Sequence, residues 1–376
     1  MQTEIDQQLS SLPKSAREAL LEHHFDRERF VTLATAVRQG ASIGNHVQGK
    51  LTAPQPLDWV PPPAVESVEG RHLVELGNEA LRHGQCALVV LAGGMATRMG
   101  GVVKALVPAL PGKTFLDLRL AEQASLKRRF GKTPPLWLMT SQATTQKIRE
   151  ALGSQLDGHS IADFPQGLAP RLTAKGDIFL DENGEPSLYA TGHGDLPEAL
   201  QASGLLTPFV EQGGRVVLVT NLDNLGGTLD PLTIGFHLAH GQPVTSEVVD
   251  KLAADRGGIP VRVDEKLVVL EEFRIPPSFD PKTVPVFNTN VFHFDARALL
   301  ELKMPWSFFK VEKLVAGEKL VQFERLINEI TSYRETRYLH VPRQGTASRF
   351  LPCKDLEELA ARQSEILAVA KSRGMI

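Results

Sequence analysis

Apolar residues near the start of the chain recur at helical spacing. Leu20 and Phe30 are among those that repeat at this spacing over 15–38, and Gly40 then stops the run. This period is typical of an amphipathic helix, so the pattern predicts helix over 15–38. Five prolines follow within 52–63. Because proline fixes φ and removes a backbone donor, this segment is expected to be an extended linker.

Beyond the linker, helical patterns alternate with short apolar runs. Helices are predicted over 68–83 and 115–129, and strands over 87–91, 136–139 and 216–219. These strands are apolar throughout, which is typical of strands that are covered on both faces. The β-α-β order then predicts an α/β domain with a doubly wound, mostly parallel sheet.

The second half of the chain is richer in β-structure. Residues 181–184 read Asp-Glu-Asn-Gly, which is a strong signal for a hairpin turn. The remaining patterns predict strands over 245–250, 266–273 and 286–294, and helices over 320–332 and 355–372. We therefore expect a large domain over 63–376, preceded by a helical extension and proline-rich linker over 1–62.

Composition and charge argue against several functional classes of protein. The chain has 376 residues and a net charge of −3, which argues against a broad surface for nucleic acid. No uncharged apolar run approaches the ~20 residues of a membrane-spanning helix. The only two cysteines, Cys86 and Cys353, exclude a disulfide scaffold and fit a reducing compartment. The acidic N-terminus does not resemble a signal peptide, so we expect a cytoplasmic protein without nucleic-acid or membrane partners.

The first candidate site follows the strand over 87–91. Gly93 and Gly94 open a glycine-rich segment in which a backbone can approach a phosphate closely. Arg98 and Lys104 add positive charge within the same dozen residues. The spacing matches neither a dinucleotide fingerprint nor a Walker A loop. We favour phosphate binding, and the alternative is a turn that only joins strand to helix.

A second candidate, Asp223, follows the strand over 216–219. Ligands of open α/β sheets lie at the carboxyl ends of strands, where a carboxylate can hold Mg²⁺ that shares substrate phosphates. The alternative is an aspartate that caps the next turn.

Two further segments carry polar groups suited to a ligand. His193 stands between Gly192 and Gly194, which predicts exposed, approachable backbone, while Asp195 is expected to cap the following helix. No second histidine or cysteine stands at zinc-ligand spacing. In the segment 287–290, two asparagines stand two positions apart and would share one face of a strand, where they suit sugar hydroxyls or, alternatively, turn chemistry.

Together these segments resemble the UTP–glucose-1-phosphate uridylyltransferase family (UDP-glucose pyrophosphorylases) and, more distantly, UDP-N-acetylhexosamine pyrophosphorylases. The resemblance spans most of residues 87–360, and we expect a short form without the C-terminal β-helix domain of eukaryotic members. The stretches that carry it include LAGGMATRMGGVVK (91–104), FPQGLAPRL (164–172), TGHGDLPEALQASGLL (191–206), LVTNLDNLGGTLD (218–230), VFNTNVFHF (286–294) and SRFLPCKDLEEL (348–359).

The resemblance implies a three-layer nucleotidyltransferase core with a mixed, mostly parallel sheet, Rossmann-like and similar to the GT-A fold. It also implies a Mg²⁺-dependent reaction of UTP with glucose 1-phosphate that gives UDP-glucose and pyrophosphate. The alternatives are an N-acetylhexosamine or galactose substrate on the same scaffold, or a non-catalytic nucleotide-sugar sensor. The oligomeric state stays open.

The resemblance also implies residue roles. Nucleotide-binding positions are Leu91, Ala92, Gly93, Gly94, Gln166, Gly192 and His193. Catalytic positions are Lys104, Arg98, Lys251 and Lys313, with Lys310 as a competitor of Lys313. Sugar-binding positions are Asn221, Glu271, Asn288 and Asn290, and the metal ligand is Asp223.

Overall fold

The computed structural model describes residues 2–41, 44–96, 99–315 and 317–376. Within these ranges the helices are α1 (Gln2–Ser11), α2 (Lys14–Glu22), α3 (Arg27–Arg38), α4 (Val68–Arg82), α5 (Phe115–Phe130), α6 (Thr145–Leu152), α7 (Leu196–Ala202), α8 (Leu206–Glu211), α9 (Pro231–His240), α10 (Ala296–Leu300), α11 (Ile330–Tyr333), α12 (Leu356–Ala361) and α13 (Gln363–Ser372). In this part of the chain, no helix is both long and apolar enough to cross a membrane.

The strands within the same ranges are β1 (Leu51–Thr52), β2 (Trp59–Val60), β3 (Cys86–Leu91), β4 (Met95–Ala96), β5 (Val102–Val103), β6 (Pro108–Leu110), β7 (Lys113–Thr114), β8 (Leu136–Thr140), β9 (Ile161–Pro165), β10 (Leu168–Pro170), β11 (Leu188–Ala190), β12 (Val216–Asn221), β13 (Val244–Asp250), β14 (Gly258–Val263), β15 (Lys266–Glu271), β16 (Val286–Asp295), β17 (Phe309–Val315), β18 (Glu318–Glu324) and β19 (Thr336–His340).

Eight of these strands form the central sheet, in the order β2-β19-β13-β16-β12-β3-β8-β9. Only β16 runs antiparallel to its neighbours, β12 and β13, and the other pairs are parallel. Along β3, Leu88 and Val90 pack into one buried cluster, whereas Ala87 and Val89 pack into another on the opposite face. Alternate residues point to opposite faces of a strand, so the sheet is covered on both sides. The predicted three-layer α/β fold is confirmed.

The N-terminal helices pack on the outside of this core. Ile5, Leu20 and Phe30 belong to a buried cluster shared with β10, β11 and β18. The predicted single helix over 15–38 is wrong in one respect, because the chain turns between α2 and α3. His24 has φ +50°, and the side chain of Asp26 accepts a hydrogen bond from Arg29 N at the start of α3. The domain boundary at 62/63 stays a prediction, and β2 already belongs to the central sheet.

The helix predicted over 320–332 is wrong. Residues of this segment form β18, which pairs antiparallel with β17 as a hairpin. Val321 and Phe323 of β18 are buried in the cluster that receives the N-terminal helices. An apolar run of this length is compatible with either a strand or a helix. Here the pairing with β17 makes it a strand. Of the α-helices, only the short α11 overlaps the predicted range, and the predicted helix over 355–372 is split into α12 and α13.

Helices α4 and α9 touch through two glycines. A methyl group added at Gly235 would lie 1.8 Å from Leu73 O, and one at Gly77 would lie 1.9 Å from Pro231 O. The two backbones therefore meet directly, with no room for a side chain between them.

We predict that Gly235→Ala destabilises the protein by about 1–3 kcal/mol, since overpacking a tight contact forces backbone shifts. This loss is expected although alanine is the better helix former by about 1 kcal/mol. Urea unfolding measures the change, with Glu79→Ala on the exposed side of α4 as the control. A Gly235→Ala variant as stable as the parent would contradict this packing.

Candidate active site

The first two candidate segments start side by side at one edge of the sheet. In the parallel pair of β3 and β12, Leu91 is in register with Asn221. Ala92, Gly93 and Gly94 continue directly from β3, and Asp223 follows β12. The carboxyl ends of neighbouring parallel strands thus bring the glycine-rich segment and the aspartate together, as the sequence predicted.

Lys104 and Asp223 form an ion pair. The Lys104 backbone N–H donates to Gly94 O at 3.3 Å, which folds the loop back over its own start. The Lys104 Nζ atom then lies 2.8 Å from Asp223 Oδ2. Both side chains are largely buried, with 22% and 12% of their surface exposed. Arg98, the other predicted cation of this loop, lies outside the described residues.

Gly93 borders the predicted uracil-reading glutamine. A methyl group at Gly93 would lie 2.5 Å from Gln166 Nε2, so a larger residue there would displace the Gln166 amide. The Gly93 carbonyl accepts a hydrogen bond from Ser141 Oγ at 2.9 Å. On the other side, His23 Nδ1 lies 3.0 Å from Gln166 O, which ties the N-terminal helices to this corner. Gly93 and Gln166, two of the predicted nucleotide-binding residues, therefore meet in one corner of the site.

The segment around His193 is packed rather than exposed, which corrects the sequence-based expectation. A methyl group at Gly192, which has φ +103°, would lie 2.5 Å from Arg325 O. The Gly194 N–H donates to the same carbonyl at 3.1 Å. The segment needs glycine because the backbone near residue 325 runs directly against it.

His193 is held as a neutral ring of one tautomer. Its Nδ1 accepts a hydrogen bond from Ile327 N at 3.1 Å, so the ring proton is on Nε2. Burial lowers the pKa of His193 to about 4. At neutral pH the ring is therefore an uncharged N–H donor that faces a cavity, which suits binding rather than proton transfer.

Asp195 does not cap α7, contrary to the sequence-based expectation. Its carboxylate forms an ion pair with Arg325 and accepts hydrogen bonds from Thr191 Oγ1 and, at 2.9 Å, from Gly167 N. Tertiary partners at high sequence separation outcompete the local cap. The carboxylate thereby joins the loop after Gln166 to the segment that carries His193.

The predicted sugar-binding residues line one cavity of about 260 Å³. Asn290 Nδ2 donates to Asn221 Oδ1 at 3.0 Å, and Ser246 Oγ donates to Asn288 Oδ1 at 3.3 Å. The wall contains Asn221, Glu271, Asn288 and Asn290 together with His193. Amides, a carboxylate and an imidazole N–H offer donors and acceptors in mixture, which is what a polyhydroxylated ligand requires.

Glu271 is the titratable group of this wall. Burial, and then the neighbouring charges of Glu272 and Glu329, raise the pKa of Glu271 to about 7. Its Oε1 accepts a hydrogen bond from Asn328 Nδ2 at 3.3 Å. Near neutral pH this carboxyl exchanges between an acceptor-only form and a form that can also donate.

The loop that carries Asp223 is fixed by Arg119, which is fully buried on α5. Its guanidinium donates to the carbonyls of Asn221, Asn224 and Gly227 at 3.2, 2.6 and 3.0 Å. Glu122 neutralises it from the next turn at 2.8 Å. The sequence carries no signal for this role, because an arginine in a helical pattern is expected to face solvent.

A segment near the C-terminus fixes the same loop from the other side. The Asn224 side chain donates to Arg349 O at 3.0 Å and accepts from Leu351 N at 2.8 Å. The Cys353 N–H donates to Asp223 Oδ2 at 3.1 Å. These bonds join residues that are more than a hundred positions apart, so sequence reasoning did not find them.

Two of the predicted catalytic lysines are not brought to this centre. Lys251 Nζ donates to Pro281 O at 2.6 Å, and Lys313 is exposed on the β17–β18 hairpin. Its competitor Lys310 lies 3.6 Å from Glu312. By contrast, Arg256 and Lys354, which were not predicted, line the cavity. The roles of Lys251 and Lys313 stay predictions.

A family model described as UTP–glucose-1-phosphate uridylyltransferase matches residues 48–375. The chain belongs to this family. A relative of the same name from Hordeum vulgare is 33% identical over 301 residues, which cover 74% of this chain and 62% of that protein. One from Astragalus penduliflorus is 28% identical and covers 92% of this chain and 74% of that protein.

Solved structures show the same fold. A protein from Trypanosoma brucei described as UDP-glucose phosphorylase superposes with a TM-score of 0.76 at 22% identity, over 96% of this chain and 77% of that one. A Leishmania major UDP-glucose pyrophosphorylase mutant in complex with UDP-glucose gives 0.71 at 23% identity, over 94% and 78%. The Trypanosoma brucei UDP-N-acetylglucosamine pyrophosphorylase gives 0.75 at 18% identity, over 97% and 82%.

We predict that Glu271→Gln changes how stability depends on pH. The raised pKa means that the folded state keeps a proton between about pH 4.5 and 7 that the unfolded state releases, so stability falls as pH rises from about 4.5 to 7 and then levels off. The glutamine variant should match the parent at pH 4.5 and exceed it by about 1–3 kcal/mol at pH 8.

Denaturant unfolding at several pH values measures the difference. Glu265→Gln, an exposed substitution in the turn between β14 and β15, is the control. A constant difference between pH 4.5 and 8 would show that Glu271 does not titrate in this range.

Proposed function

We propose that this chain transfers the uridylyl group of UTP to glucose 1-phosphate and releases pyrophosphate. Family membership supports the reaction type. The observation that carries the proposal is the position of the Lys104–Asp223 pair between two parts of the site. Lys104 is bonded to Gly94, next to the Gly93–Gln166 corner. Asp223 stands two residues after Asn221, which lines the cavity.

The Gly93–Gln166 corner suits a uracil base. The Gln166 amide offers a donor and an acceptor side by side, which matches the acceptor and donor at one edge of uracil. At the neighbouring Gly94, an added methyl group would meet no atom within 4 Å, so the backbone beside this corner is open to a ring. A base that leaves these buried groups unpaired would lose about 1–3 kcal/mol for each of them.

The reaction needs no covalent intermediate with the protein. An oxygen of the sugar phosphate attacks the α-phosphorus of UTP, a new P–O bond forms, and the bond to pyrophosphate breaks. The attacking oxygen is already ionised, so no general base is required. Neutral His193 can donate its Nε2 proton in a hydrogen bond to a ligand oxygen, and it need not change protonation state during turnover.

The two reactants are anions that repel each other, so charge must be neutralised where they meet. Lys104 supplies positive charge at the end of the glycine-rich loop, next to the predicted phosphates. Arg256 and Lys354 are placed on the cavity wall, where a sugar phosphate would lie. Alignment of the two reactants alone can contribute about 7–11 kcal/mol to lowering the barrier.

Asp223 fits a Mg²⁺ ion that is held mainly by its substrate. The described residues contain no group of three or more histidine, cysteine or acidic side chains that could enclose a metal. Mg²⁺ commonly binds one or two carboxylates and completes its shell with phosphates and water, so a single aspartate suffices. Asp223 Oδ2 accepts bonds from Lys104 and Cys353, and no described residue bonds to Oδ1. Bound there, Mg²⁺ would supply charge neutralisation at the phosphates.

The sugar and the cellular location belong to the same proposal. The fold alone does not separate glucose from N-acetylglucosamine, because proteins named for either sugar superpose similarly well. A cytoplasmic location is supported by two free, buried cysteines.

A pyrophosphate-release assay with UTP and the 1-phosphates of glucose, galactose and N-acetylglucosamine tests which sugar is used. Equal or greater activity with another sugar would overturn the glucose assignment.

We predict a strong preference for UTP over ATP and GTP, which Gln166→Ala weakens. The expected cause is the loss of the paired amide at the uracil edge, and the preference should fall by about tenfold or more, or about 1.4 kcal/mol. The ratio of kcat/KM for UTP and ATP measures it, with Gln146→Ala on α6 as the exposed matched control. A parent that uses both nucleotides equally would exclude uridylyl specificity.

We predict that Lys104→Ala and Asp223→Ala each lower kcat by about 10²-fold or more, equivalent to about 3 kcal/mol. Because the two side chains are in contact, the double variant should lose less than the sum of the two losses. Steady-state kinetics of both single variants and the double variant at saturating Mg²⁺ measure this. Lys113→Ala, at an exposed lysine nearby in the chain, is the control.

A single variant whose kcat stays within about threefold of the parent would remove that residue from catalysis. If Lys104 fails in this way, Lys251 and Lys313 are the next lysines to test.

A further inference from the structure

A second cavity lies between the C-terminal end of α5, the loop before α9 and the end of α13. Its volume is about 260 Å³, far above the roughly 15 Å³ that admits one water. The polar residues on its wall include Ser125, Arg129, Thr228, Asp230, Lys371 and Arg373. None of the residues on its wall lines the sugar cavity.

The walls of this cavity carry more positive than negative charge. Among the described residues, Arg129 and Lys371 have no acidic partner, and Arg129 stacks only on Phe130. Arg373 Nη1 lies 3.8 Å from Asp230 Oδ2, which is too long for a direct hydrogen bond. Asp230 Oδ1 also caps α9 by accepting hydrogen bonds from Leu232 N and Thr233 N.

The charges behind the wall do not offset this excess. Arg349 donates to Thr228 O at 3.0 Å and is itself paired with Glu247, as Arg119 is paired with Glu122. Burial, and then the adjacent Arg349, lower the pKa of the Arg373 guanidinium. Once the pairs are set aside, two positive charges remain without a counter-charge from the described residues.

Buried polar atoms around the cavity also have no partner. Thr228 is 2% exposed and lines the cavity, yet its Oγ1 bonds to no described residue. Arg373 also lines the cavity, and its Nε atom likewise bonds to no described residue. A buried donor without a partner costs about 1–3 kcal/mol, so such groups normally meet a water or a ligand.

We propose that this cavity binds a phosphate-class oxyanion. A dianion matches the two unpaired positive charges, and its tetrahedral oxygens can accept from the forked guanidinium of Arg373, from Arg129 and Lys371, and from the Thr228 hydroxyl. Asp230 would face such an anion and weaken its binding, and the three cations outweigh it. The source can be free phosphate or pyrophosphate, or the phosphate group of a larger metabolite.

The test uses inorganic phosphate as the probe. Isothermal titration calorimetry at pH 8, with ionic strength held constant by KCl, measures binding to the intact protein. We expect saturable binding of one phosphate that becomes at least tenfold weaker in the double variant Arg129→Gln/Lys371→Gln. Both residues are exposed, so the double variant should fold.

Two controls separate this cavity from the active site and from general charge effects. Arg128→Gln removes an exposed arginine of α5 that does not line the cavity, and it should bind phosphate like the parent. Lys104→Ala, at the active site, should also leave phosphate binding intact. The double variant should keep the parent's turnover in phosphate-free buffer.

Thr228→Val gives an independent readout. In phosphate-free buffer it should melt at or above the parent's temperature, because it removes an unpartnered hydroxyl. In saturating phosphate it should melt below the parent, because bound anion stabilises the parent more. Absence of saturable binding, binding that only Lys104→Ala abolishes, or the same ranking of melting temperatures in both buffers would overturn the proposal.

Discussion

The candidate site depends on how the loop after β12 is held. This loop carries Asp223, and its Leu222, Leu225 and Leu229 are buried in the core. Arg119 binds three of its carbonyls from below, and the Asn224 side chain joins it to residues 349 and 351. Since Arg119 is fully buried and bonded in a fixed fork, the position of the loop follows from that of α5.

Buried charge pairs extend this arrangement through the sheet. Arg349 is bidentate to Glu247 on β13, and Glu247 also bonds to His293 on β16 at 2.8 Å. Burying a charge pair gains little net stability, but losing one partner leaves an unpaired buried charge that costs about 3–5 kcal/mol. The charge pair therefore fixes the segment with Arg349 on the sheet. Backbone groups of this segment then form hydrogen bonds with the side chains of Asp223 and Asn224 and fix these in turn. Stability and site geometry are thus set by the same contacts.

The sequence predicted the parts of the molecule that are set locally. Uniformly apolar runs such as 216–219 identified the buried strands, and the end of such a strand located Asp223. The spacing of Asn288 and Asn290 predicted that they share one face of a strand, and both line the same cavity. The sequence-based predictions failed where a partner far along the chain determines the local structure or the role of a residue. The run over 320–332 has no feature that distinguishes a strand from a helix until β17 pairs with it. The roles of Arg119 and Asp195 likewise depend on distant partners. Arg119 bonds to carbonyls more than a hundred residues away, and Asp195 pairs with Arg325.

The Lys104–Asp223 pair explains how one site can serve two opposite charges. In contact, the ammonium and the carboxylate neutralise each other, so the centre of the site exerts little field on its surroundings. Anionic phosphates that enter beside the glycine-rich loop would compete with Asp223 for the ammonium, and a lysine, with a flexible stem and a compact charge, can turn from one partner to the other. The carboxylate would then be available for a cation brought with the phosphates. Because the loop with Asp223 is fixed by Arg119 and the 349–353 segment, this exchange would require only side-chain motion of Lys104, and the position of the carboxylate would stay unchanged.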